Sequence, residues 1–103
     1  MTHLATTLPA LLRFPGGAAR QDSWGRLIKV TAGGARLCTG SRLTKGETVL
    51  VGFELGGESL LIPGRVHDAF PDDDGQTVAE LRWSDMVERK RLARALLDVL
   101  ARS

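Results

Sequence analysis

The feature that most constrains this chain is a change of hydrophobic period at residue 84. Before it, apolar residues alternate in short runs broken by turn chemistry; after it, they recur at helical spacing. The alternation is cleanest over 48–55, where Val49, Val51, Phe53 and Leu55 share one face. Gly56-Gly57 follows as a two-residue hairpin signal, because both positions accept positive φ. The return run, 58–70, keeps Leu60, Ile62 and Val66 in phase. Pro63 within it has no N–H for a ladder, so an edge or bulged position is expected there.

The other runs are shorter. Residues 8–14 place Ala10, Leu12 and Phe14 opposite Leu11 and Arg13, and Pro15-Gly16-Gly17 ends the run ahead of a loop through 18–23. Residues 24–30 put Trp24, Ile28 and Val30 in phase with Arg26 interrupting, and 35–38 set Ala35 and Leu37 against Arg36 and Cys38. After the polar turn Asp72-Asp73-Asp74-Gly75, residues 77–83 align Ala79, Leu81 and Trp83. About six strands result. Beyond them, Ser84 or Asp85 is a helix cap, with Glu88 at capping-box distance from Asp85. Leu92, Leu96, Val99 and Leu100 form the apolar stripe of a helix over about 85–102. Many short strands and one terminal helix predict a mainly β fold, a small antiparallel barrel closed on itself with the helix packed on it.

A chain of 103 residues is one domain, spanning 1–103, with strands over about 8–83. No run reaches the ~18–20 apolar residues of a membrane span, and no basic region followed by an apolar stretch marks a signal peptide. A single cysteine forms no internal disulfide and suits a reducing compartment, so a cytoplasmic location without membrane insertion is expected. Two histidines, one cysteine, no tyrosine and no asparagine are a thin stock for a hydrolytic triad or a four-ligand zinc site. No catalytic residue, metal ligand or cofactor is therefore assigned. Asp72, Asp73 and Asp74 read as a solvated hairpin tip, Cys38 as a small buried apolar residue and His67 as a structural or surface histidine.

The charge distribution is more informative than its total of +2. Residues 1–46 carry seven basic groups against one acid, Asp22; residues 47–88 carry two against ten; residues 89–103 carry five against one. Eleven of the fourteen basic residues are arginine, whose planar fork pairs phosphates and stacks on flat rings. Arg13, Arg20, Arg26, Arg36 and Arg42 make a surface for a phosphate ligand or an acidic protein, or merely a solubilising one. On the helix, Arg89, Lys90, Arg91 and Arg94 are candidates for contact with an acidic partner, against the plainer reading of a solvated face. Nucleic-acid binding is disfavoured, because aromatic residues are few and not interleaved with this basic run.

At residues 25–66 the pattern resembles the PilZ domain family. The residues that carry it are Ile28-Lys29-Val30-Thr31-Ala32-Gly33-Gly34-Ala35-Arg36-Leu37, which look like the family's strand–turn–strand motif D/N-x-S-x-x-G with Gly34 in the last place. Leu43-Thr44-Lys45-Gly46-Glu47 and the alternating 49–55 match its next loop and strand, and GESLLIPGRV at 57–66 the strand after it. The resemblance implies a six-stranded antiparallel PilZ-type barrel with a C-terminal helix, and a connection to the bacterial second messenger cyclic di-GMP, which many members bind. In the family an R-x-x-x-R pair ahead of the first strand grips phosphates and stacks on guanine, while the Asp/Asn and Ser of the turn accept hydrogen bonds from the base.

Carried over to this chain, the ligand-binding positions are Lys29, Thr31 and Gly34, with Arg20 and Arg26 as replacements for the arginine pair. Much of the motif is missing. No arginine has another four positions later, and 1–7 offers only His3 as a cation. Lys29 stands at the Asp/Asn position with donors and no acceptor. Thr31 keeps a hydroxyl and Gly34 keeps the turn. Losing three charge-assisted contacts of ~1.5–3 kcal/mol each removes roughly 5–9 kcal/mol at face value, or about 10³ to 10⁶ in affinity. The expectation is a non-enzymatic PilZ-type adaptor that works by protein contact in a motility, pilus or envelope pathway, with cyclic di-GMP binding lost or weak. The alternative is a cyclic di-GMP receptor using Arg13, Arg20 and Arg26; a small nucleic-acid-binding barrel ranks below both.

Overall fold

The computed structural model describes residues 3–16 and 20–102. Alternation leaves every strand with one apolar face to bury, and a closed sheet buries all of them without exposing an edge. Among the described residues the strands are β1 (His3–Arg13), β2 (Ser23–Thr31), β3 (Gly34–Thr39), β4 (Thr48–Leu55), β5 (Glu58–Pro71) and β6 (Thr77–Trp83). They close into a barrel in the order β1-β2-β3-β6-β5-β4, every neighbouring pair antiparallel. The helix α1 (Met86–Ala101) follows β6. A mainly β, six-stranded antiparallel barrel with a C-terminal helix is what the period change predicts.

Inward faces follow the alternation. Ala10, Leu12, Phe14, Val49, Val51, Phe53, Leu55, Leu60, Ile62, Val66, Ala79, Leu81 and Trp83 are all buried in one core. Leu92, Ala95 and Leu96 of α1 join it, with Val99 packed against it. Leu100, placed on the helix stripe by its spacing, is 36% exposed instead, because it lies off the face that meets the barrel. Gly56 and Gly57 take φ of 61° and 82°, the doubly positive turn that joins β4 to β5. Pro63 lies inside β5 opposite Leu50, without a bulge. The β5–β6 ladder ends at Gly64 and Trp83, and the Pro63 carbonyl accepts from the Ser84 N–H at 3.0 Å, so the proline stands where β5 runs out of its β6 neighbour.

Three expectations change. β1 begins at His3 rather than Leu8, because pairing with β2 runs on to His3↔Thr31 past a bulge between Ala5 and Leu8. In β2 a bulge between Leu27 and Lys29 breaks the phase: Leu27 and Val30 are buried, Ile28 is half-buried, and Trp24 is 68% exposed on the outer face. The helix cap resolves to Asp85, whose Oδ1 accepts from the Glu88 N–H at 3.0 Å, while Ser84 Oγ donates to the Pro63 carbonyl. Met1, Thr2, 17–19 and Ser103 lie outside the described residues, as does the side chain of His3.

Candidate functional site

The turn between β2 and β3 is built around one hydroxyl. Thr31 Oγ1 accepts from the backbone N–H of Gly33 at 3.2 Å and of Gly34 at 3.0 Å, and donates to the Gly34 carbonyl at 3.2 Å. The Thr31 carbonyl accepts from Trp83 Nε1 at 3.1 Å, and the Trp83 N–H donates to the Gly33 carbonyl at 3.0 Å. At Gly34 the backbone of β3 lies tight against β6: a Cβ there would sit 2.0 Å from the Leu81 carbonyl oxygen. Thr31, buried, therefore spends its hydrogen-bonding capacity on the turn itself. Lys29 is exposed two residues before it, opposite Arg36, whose own guanidinium pairs with Glu80 at 2.6 Å.

The amino-terminal arginines lie elsewhere. β2 rises about 3.3 Å per residue, so the eight steps from Ser23 to Thr31 carry the chain roughly 25 Å from one barrel end to the other. Arg13 stands beside Ser23, at the end opposite the Thr31 turn, in an ion pair with Asp22 at 3.4 Å. Arg20 shares that end: Nη1 pairs with Glu47 Oε2 at 2.7 Å, Nη2 donates to the Arg42 carbonyl, and the guanidinium lies 3.8 Å above the Phe14 ring. It latches the segment after β1 onto the loop before β4, beside a cleft of about 420 Å³ that Gln21, Ser41 and Thr44 also line. Arg26 sits partway along β2, about 16 Å from Thr31 by strand rise. Its Nη2 lies 3.7 Å from Cys38 Sγ, and it has no ion pair among the described residues. Lys29, Thr31 and Gly34 are thus brought together, and Arg20 and Arg13 are not brought to them.

The helix cluster divides. Arg91 is committed to Glu58 at 3.2 Å and Glu88 at 3.4 Å, and its hydrogen bond to Glu58, with the charge of Glu88 added, raises its pKa further above the ordinary guanidinium value. Arg89, Lys90 and Arg94 have no ion pair among the described residues. Between them α1 exposes Met86 (61%), Val87 (68%) and Leu97 (62%) to solvent. Basic and apolar side chains are thus interleaved on the exposed face of α1. Sequence reasoning missed these apolar residues, although their helical spacing from Lys90 and Arg94 was readable. It also missed an outward apolar row across four strands, Trp24–Leu11–Gly52–Leu61, which depends on register.

The acidic turn and the cysteine have local roles. Asp72 Oδ1 accepts from the N–H groups of Asp74 at 2.9 Å and Gln76 at 2.8 Å, closing the β5–β6 hairpin. Cys38 is buried beneath that hairpin, with Sγ 3.0 Å from Gln76 Oε1. His67 is exposed and contacts Arg82. No helix among the described residues is long and apolar enough to cross a membrane.

No protein-family model matches the sequence, and no curated protein does. Solved structures match the fold. The Bacillus subtilis inhibitor of motility MotI/DgrA superposes with a TM-score of 0.75 at 14% identity, over 99% of this chain and 51% of that one. The PilZ domain of CeSA from a cellulose-synthesizing bacterium gives a TM-score of 0.62 at 18% identity, over 96% of this chain and 95% of that one. MrkH of K. pneumonia in its apo state gives 0.72 at 14% identity, over 94% and 48%. The chain spans about half the length of the MotI/DgrA and MrkH chains. The fold is the PilZ-type barrel, as the motif at residues 28–37 implies.

Proposed function

We propose that this chain is a non-enzymatic, cytoplasmic PilZ-type regulatory adaptor that acts through protein contact in bacterial motility, pilus or envelope signalling, with cyclic di-GMP binding lost or weak. The observation that carries this reading is the state of the β2–β3 turn. Its only hydroxyl, Thr31 Oγ1, is occupied by Gly33 and Gly34, and its neighbour Lys29 supplies donors where a guanine edge needs an acceptor. Arg13 and Arg20 are ion-paired at the far end of the barrel, which weakens the reading that they stand in for a phosphate clamp at the turn. The exposed Met86, Val87 and Leu97 beside Lys90 and Arg94 supply a docking surface suited to an acidic, partly apolar protein. A fold neighbour that inhibits motility makes that pathway the first to examine.

Overproducing the chain in its bacterial host should alter swimming, twitching or surface attachment. The double variant Lys90→Glu/Arg94→Glu should keep the wild-type melting temperature and lose most of the effect. An undiminished effect from the double variant, or an effect that vanishes when cellular cyclic di-GMP is depleted, would contradict the adaptor reading.

A further inference from the structure

The acidic stretch 47–88 contains ten carboxylates and only two basic residues, Arg65 and Arg82. In the folded chain those two stand directly opposite each other across β5 and β6, both exposed on the outer face. Directly opposed side chains on a sheet have Cβ atoms about 5 Å apart, and like charges so placed repel. Neither arginine has an ion pair among the described residues. The nearby acids are engaged elsewhere: Glu80 with Arg36, Glu47 with Arg20 and the Thr44 N–H, Asp68 with the Ala69 N–H.

A second like-charged pair on the same barrel gives the contrast. Lys29 faces Arg36 across β2 and β3, and there Glu80 neutralises the arginine at 2.6 Å. At Arg65 and Arg82 no acid does so. Instead a third nitrogen group joins them: a bulge between Val66 and Asp68 brings His67 Nε2 to 3.2 Å from Arg82 Nη2. Because a guanidinium only donates, that ring nitrogen is the acceptor, which leaves the other nitrogen to carry the imidazole N–H. The Arg65 guanidinium, the remaining N–H groups of Arg82 and an imidazole N–H on one strand pair supply donors for a tetrahedral dianion, and arginine pairs phosphate oxygens bidentately.

We propose that Arg65, Arg82 and His67 form a binding site for a phosphate monoester dianion on the outer face of β5 and β6. A monoester carries nearly two negative charges at neutral pH, enough to offset both arginines, whereas each phosphodiester of a cyclic dinucleotide carries one. The group could arrive on a small metabolite or on a phosphorylated side chain of a partner, with the same chemistry at the site.

The test titrates inorganic phosphate and N-acetyl phosphoserine amide, in separate arms, into the full chain at pH 7.5 and constant ionic strength set with chloride. The readout is amide and arginine side-chain NMR. The expected result is a saturable response centred on Arg65, His67 and Arg82, weakened about tenfold or more by Arg65→Ala or Arg82→Ala and unchanged by Arg102→Ala, which removes the same charge at the C-terminal end of α1, beside the β4–β5 turn. Whichever probe binds tighter identifies the source. Arg65→Glu turns the repulsive pair into an ion pair, so it should abolish the response and raise the melting temperature in phosphate-free buffer. The proposal is overturned by a non-saturating response to both probes, by a response undiminished in the Arg65 and Arg82 variants, or by cyclic di-GMP binding these residues more tightly than either probe.

Discussion

Gly34→Ala should lower the stability of the barrel by about 3 kcal/mol, the upper end of overpacking costs. The melting temperature should fall by roughly 12 °C or more. The cause is one atom: the new Cβ would lie 2.0 Å from the Leu81 carbonyl oxygen and 3.1 Å from the Leu81 carbonyl carbon. Both belong to backbone, so no side-chain rotation relieves the clash. β3 must move away from β6, and that strains the ladder from Gly34↔Arg82 through Thr39↔Thr77. Gly33 is the internal control. A Cβ there meets nothing nearer than Thr31 Oγ1 at 3.9 Å, so Gly33→Ala should change stability by no more than about 0.5 kcal/mol. Thermal melts of the two variants separate a requirement for close strand approach from a general need for glycine in the turn. Equal melting temperatures would refute the structural role given to Gly34.

The second large effect belongs to Trp83. Its ring is 4% exposed, lies 6.2 Å from Phe53 at an interplanar angle of 21°, and covers Gly64, where a Cβ would be 3.2 Å from two ring carbons. Its Nε1 donates to the Thr31 carbonyl at 3.1 Å, so one side chain ties the core to the turn after β2. Trp83→Ala should cost about 3–5 kcal/mol, a large part of the ~5–15 kcal/mol that holds a domain folded. Trp83→Phe keeps most of the apolar ring and loses the donor, leaving the Thr31 carbonyl short of a partner at a cost of about 1–3 kcal/mol. The two variants should therefore rank in that order in denaturant melts. In Trp83→Phe, amide exchange at Gly33 and Gly34 should quicken more than exchange in β4. A phenylalanine variant as unstable as the alanine variant would show that the hydrogen bond, not the ring, dominates.

The inward faces were legible because burial on a closed sheet has period two and nothing competes with it at Val49, Val51, Phe53 and Leu55. The helix was legible for the complementary reason: Leu92 and Leu96 repeat at four, behind an aspartate cap. What the sequence hides is phase and register. Bulges at Ala5/Leu8, Leu27/Lys29 and Val66/Asp68 each shift the alternation without a glycine or proline to mark them. They are why Trp24 turns outward and why His67 reaches Arg82. The site divides in the same way. That Lys29 lacks an acceptor is a property of one residue and needs no structure. That Thr31 Oγ1 is already used, that Arg20 is latched to Glu47, and that Arg65 faces Arg82 are properties of distant chain segments brought together by closure.

The central claim, an adaptor whose nucleotide site is lost or weak, is tested most directly by titration calorimetry of the full chain with cyclic di-GMP. The missing acceptor and arginine pair predict an affinity weakened by about 10³ to 10⁶, and hence no saturable heat at micromolar ligand. A saturable isotherm with a micromolar or tighter dissociation constant would contradict the account.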